Sequence, residues 1–141
     1  MQQNFSNHTR YHAPFHYVLA PLGLIGLIAS LVHLIKGEPW NHYNAALIFL
    51  GFFLLFLVGA LTRTYALKAQ DRAIRAEENL RHFILTGKPL DSRLRMGQII
   101  ALRFAADEEF PALAARAADE KLSGKDIKQA IQQWRPDYYR I

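Results

Sequence analysis

The chain contains no cysteine. Disulfides, zinc–thiolate centres and cysteine nucleophiles are therefore excluded. It has no phosphate-binding glycine loop, no His-Glu-x-x-His pair and no nucleophilic serine motif. No stretch alternates apolar and polar residues with the period of two that marks a strand. Charge is scarce in one region: residues 14–62 carry only Lys36 and Glu38. Helix breakers are absent from the next, since Arg63–Leu85 holds neither proline nor glycine. These absences point to an all-α chain that is not an enzyme, with no cofactor and no known small-molecule ligand expected.

The uncharged region is long enough to cross a membrane twice. Phe15–Ile35 has four polar side chains, His16, Tyr17, Ser30 and His33, and no Lys, Arg, Asp or Glu. Tyr43–Thr62 is polar only at Tyr43, Asn44 and Thr62. A span needs about 20 such residues. Between them Gly37 and Pro39 stop the helix, and Trp40, His42 and Tyr43 suit a membrane–water interface. A chain of 141 residues has too little other material to bury two helices that are apolar on every side. The predicted fold is an all-α membrane protein. It comprises a two-span transmembrane helical hairpin whose second span continues as a long cytoplasmic helix, and a small C-terminal three-helix head. The divisions are residues 1–13, a cytoplasmic N-terminal segment; 14–62, the hairpin, with spans at about 15–35 and 43–62; 63–85, the cytoplasmic extension; and 86–141, the head.

Orientation follows from Lys and Arg. Arg63, Lys68, Arg72 and Arg75 follow the second span, Arg10 precedes the first, and the short loop has Lys36 offset by Glu38. Both termini are expected in the cytoplasm. The same four residues form a lipid-facing basic cluster able to lie against anionic headgroups. A simple topology signal accounts for them equally well.

Positions 59, 62, 66, 69, 73, 76, 80 and 83 read Gly59, Thr62, Ala66, Ala69, Ala73, Ala76, Leu80 and Phe83. Their 3-4 spacing is that of a left-handed helix pair. It keeps phase from the apolar region into the charged one, which predicts one helix from Tyr43 to about Leu85. Small residues let helices approach closely. The partner is either a second copy or the chain's own head, with Ile99, Ile100, Leu113, Ile131 and Trp134 over the seam. On the other face Asp71 with Arg75 and Glu77 with Arg81 are predicted i,i+4 pairs. In the first span His16, Leu19, Gly23, Gly26, Ser30 and His33 form a similar stripe. Gly26 and Ser30 make a small-x-x-x-small packing pair. His16 and His33, with His8 and His12 before the span, are the candidates for a haem or metal site. Bonding of each span histidine to backbone, loop or water is the simpler reading.

The head is predicted as three helices. The first covers about Ser92–Ala106 with Asp91 or Ser92 as cap. The second starts at Asp107-Glu-Glu109 with Pro111 in its first turn. The third starts at a Ser123–Asp126 capping box and carries Ile127, Ala130, Ile131 and Trp134 up to Pro136. Asp107-Glu-Glu109 reads as a solvated helix start rather than a metal site. Residues 63–103 hold nine basic and four acidic groups, net +5, and residues 104–141 six and seven, net −1. The candidate recognition helix is thus not basic, and nucleic acid is not an expected partner.

The runs Ala66–Phe83, Thr86–Asp91, Gln98–Glu109, Asp126–Ile131 and Trp134-Arg135, with Asn4-Phe5 and Asn7-His8 near the start, resemble a family of short uncharacterised bacterial two-span membrane proteins, a domain of unknown function whose members are sometimes labelled transporter permease. The resemblance spans nearly the whole chain and implies the bacterial inner (cytoplasmic) membrane. It implies no site residue, and two spans without an ATP-binding motif lend the permease label no support. The expected function is a membrane-anchored structural or interaction protein. Its expected partners are the lipid bilayer and either a second copy or other membrane-protein subunits. A haem- or metal-binding subunit and a transport-associated or pore-forming oligomer are the alternatives.

Overall fold

The computed structural model describes residues 4–7 and 11–137. His8, Arg10 and the tail residues Tyr138, Tyr139 and Ile141 lie outside them. The described residues are helical, with one isolated antiparallel bridge between Ala105 and Trp134. A π-helical turn at Pro14–Leu19 leads into α1, Ala20–Lys36. A 3-10 turn, Pro39–Asn41, separates it from α2, His42–Thr86, a single helix of 45 residues. It is one residue longer at each end than the predicted 43–85. The head contains α3, Met96–Leu102, α4, Phe110–Asp119, and α5, Gly124–Ala130. Contacts divide the chain into Arg10–Ala66 and Leu67–Ile141 with Met1–Thr9.

In the first unit, small residues of α1 receive large ones of α2. Gly26 leaves a gap filled by the Phe52 ring, which any added Cβ would overlap, and Gly23 lies beside Phe56. Ser30 and Ala45 are buried, and the Ser30 hydroxyl donates to the Leu27 carbonyl at 2.9 Å. Of the stripe read from the first span, Gly23, Gly26 and Ser30 lie on the packing face, the two glycines against phenylalanine, whereas Leu19 and His33 are exposed. Almost every other large apolar side chain of this unit points outward.

In the second unit, Leu94, Ile99, Leu102, Phe104, Phe110, Leu113 and Ile127 form the core. Gly87 ends α2 at φ 72, its N–H donating to the Phe83 carbonyl at 2.8 Å. The first head helix is shorter than predicted. The Asp91 carboxylate accepts the Arg93 N–H at 2.8 Å and its carbonyl accepts the Leu94 N–H, so Asp91 closes a turn instead of capping a helix. The helix begins after Arg95, whose N–H donates to Gln98 Oε1 at 2.8 Å. Gln98 Nε2 then donates to the carbonyls of Ala117 and Leu122, tying α3 to the end of α4.

The predicted Ser123–Asp126 capping box is present: the Asp126 N–H reaches Ser123 Oγ and the Ser123 N–H reaches Asp126 Oδ2, each at 3.2 Å. The helix it starts ends at Ala130, short of Trp134. Glu109 is the reason. Its carboxylate accepts the N–H groups of Gln132 and Gln133, each at 3.1 Å, which draws the chain out of the helix. The released strand pairs with the end of α3: Arg135 N–H donates to the Phe104 carbonyl at 2.7 Å, and Trp134 packs on the Phe104 ring.

Candidate functional site

The head binds α2 through Ile74, Glu78 and Arg81, all on one face of that helix. Ile74 belongs to the core cluster. Arg81 is the polar centre. Its guanidinium reaches Glu78 at 3.0 Å and Asp107 at 2.6 Å, and donates to the Ala105 carbonyl at 2.7 Å. It also lies 4.3 Å above the Phe110 ring. His82 meets the edge of the same ring and bonds through Nδ1 to the Lys88 carbonyl at 2.8 Å. Arg81 pairs with Glu78 at i−3, not with the predicted Glu77. Nor do Asp71 and Arg75 pair; Arg75 instead makes a long contact of 3.5 Å to the Leu94 carbonyl. Polarity hid this face from the sequence. Ile74, Glu78 and Arg81 have helical spacing, but two of the three are charged.

The predicted seam lies elsewhere on α2. Thr62, Ala69, Ala73, Ala76, Leu80 and Phe83 are exposed, and Gly59 and Ala66 are half-buried. The alternative in which the head covers the seam is not the arrangement adopted. Ile99 and Ile131 are buried in the head core, with Trp134 half-buried beside them.

The basic cluster divides. Arg63 stacks on the Phe15 ring at 5.5 Å. Lys68 is exposed. Arg72 and Arg75 line an open cleft of about 440 Å3 together with Asn79, Leu90, Asp91 and Ser92. Asp91 is neutralised there by Arg93, whose guanidinium reaches it at 2.7 Å and holds its carboxyl down at about 2.

Each span histidine has a local partner. His16 Nδ1 lies 3.0 Å from the His12 carbonyl, and its ring meets Tyr11 edge-on. His33 Nε2 lies 3.4 Å from Asn41 Nδ2 at the loop. Among the described residues no three His, Asp or Glu side chains stand close enough to hold a metal ion.

Two helical stretches, Pro14–Lys36 and Pro39–Thr86, are long and apolar enough to cross a membrane. No curated protein and no solved structure matches the chain. A profile described as "Family of unknown function (DUF6526)" matches residues 1–141, its whole length, and the chain belongs to that family.

Proposed function

We propose that the protein is a membrane-anchored structural or interaction protein, self-associating or serving as an accessory subunit of a larger membrane complex. The observation that carries this reading is the outward aspect of the first unit. Leu22, Ile25 and Leu55 are 62%, 61% and 69% exposed, and similar side chains point outward all around both helices. Leaving such groups in water costs about 1.5–3 kcal/mol each, whereas lipid accepts them. The hairpin then spans the bacterial inner membrane with both termini cytoplasmic, because Arg63, Lys68, Arg72 and Arg75 follow the second span. The interaction role rests on the uncovered seam of α2 beyond the spans, where Leu80 and Phe83 are 59% and 53% exposed.

Two measurements test it. Reporter fusions at residue 1 and residue 141 are both expected to read cytoplasmic. Affinity purification of the full chain from native membranes is expected to bring down a second tagged copy or a discrete membrane protein. Recovery in the soluble fraction would refute the anchoring, and an outside signal at either end would refute the orientation. Recovery of the chain alone and monomeric would refute the interaction role.

A further inference from the structure

We infer that the face of α2 turned away from the head docks a second copy of the chain, as a parallel, in-register helix pair. This rests on the interaction role above and names its partner. The face is made of Ala69, Ala73, Ala76, Leu80 and Phe83, all exposed. At 3.6 residues per turn it lies roughly 150° around α2 from Ile74, Glu78 and Arg81, which carry the head. The head buries none of these residues; Ala76 and the neighbouring Arg72 border the open cleft that Leu90, Asp91 and Ser92 also line. Three alanines allow close backbone approach, and Leu80 and Phe83 supply apolar area at the far end.

Charge selects a second copy. In a parallel pair, the residue just before one inner position faces the residue five places later on the other helix. Arg72 directly precedes Ala73, and Glu77, five places later, directly follows Ala76. Both are exposed, and among the described residues neither makes an ion pair or hydrogen bond within its own chain. Two-fold symmetry forms the contact twice, Arg72 of each copy with Glu77 of the other. An antiparallel pair loses both, because it sets Arg72-type positions against one another. Two hairpins inserted in one membrane in the same sense present their α2 helices in parallel.

The chain's lack of cysteine permits a direct test with the full-length protein in its native membrane. Under mild oxidation, Ala73→Cys is expected to yield a linked dimer, and the exposed Gln129→Cys on α5 is not. In detergent the native mass is expected to be that of two chains. Arg72→Glu and Glu77→Arg are each expected to lower the dimer fraction several-fold at fixed concentration, with helicity and Trp134 emission unchanged. The exchange Arg72→Glu with Glu77→Arg is expected to restore it. A single-chain mass with no more linking at Ala73→Cys than at Gln129→Cys overturns the inference. So does an exchange variant as weak as either single change. A monomer that co-purifies with another membrane protein overturns the second copy as partner and leaves the interaction role standing. A chain absent from the membrane fraction removes both.

Discussion

Replacing Arg81 by leucine tests what joins the head to α2. The guanidinium is 11% exposed and its partner Glu78 8%, whereas Asp107 is 59% exposed. Arg81→Leu therefore strands a buried carboxylate, a change that costs about 3–5 kcal/mol. It also removes the donor to the Ala105 carbonyl and the cation above Phe110. The contact to Asp107 adds little, because an exposed ion pair contributes about 0–1 kcal/mol. The expected loss is thus about 4 kcal/mol, against less than about 1 for Asp107→Asn. For a unit of this size that corresponds to a drop of roughly 15 °C or more in melting temperature. Trp134 is the probe, since it packs on Phe104 in the head; Trp40→Phe removes the other tryptophan, 82% exposed in the loop. Thermal scans of Trp134 emission on the full chain in detergent give the comparison. Glu78→Leu combined with Arg81→Leu is expected to recover part of the loss, because no charge is then left buried. If Arg81→Leu lowers the midpoint no more than Asp107→Asn, the buried pair does not hold the head to α2.

Three further outcomes are expected. Gly26→Leu drives a side chain into the Phe52 ring and is expected to destabilise the hairpin by about 1–3 kcal/mol, while Phe52→Ala in the same chain relieves it; Gly51→Ala, with open space at its Cβ, is the clash-free control and is expected to leave stability unchanged or raise it by up to about 1 kcal/mol, all read by thermal unfolding in detergent. Ser123→Ala removes the cap of α5 and is expected to cost about 1 kcal/mol by Trp134 emission, with Ser123→Thr retaining most of it. The Asp91 carboxyl is held down at about 2, against an ordinary 3.8, by its hydrogen bonds from Arg93. Its contribution is present above about pH 4 and is lost as pH falls toward 2, so Asp91→Asn is expected to flatten the head's stability profile in that window, and an unchanged profile would refute the pairing.

Local chemistry determined much of this protein before any packing was known. Twenty-residue apolar runs set two helices, Gly37 and Pro39 set the break between them, and a run without proline carries α2 from His42 to Thr86 through Gly51 and Gly59. The Ser123–Asp126 cap and the small stripe of α1 were equally legible, because each depends on residues three or four places apart. Tertiary structure decided the rest. Counting apolar positions at 3-4 spacing selects Ala69, Ala73, Ala76 and Leu80, yet the head packs on Ile74, Glu78 and Arg81. Polarity scores a buried ion pair as surface, and only the arrival of Ala105, Asp107 and Phe110 from the head makes that burial favourable. The end of α5 was hidden for the same reason. Ile131 and Trp134 continue its helical period, but the Glu109 carboxylate, more than twenty residues earlier, takes the two N–H groups that follow Ile131 and turns the chain toward Phe104.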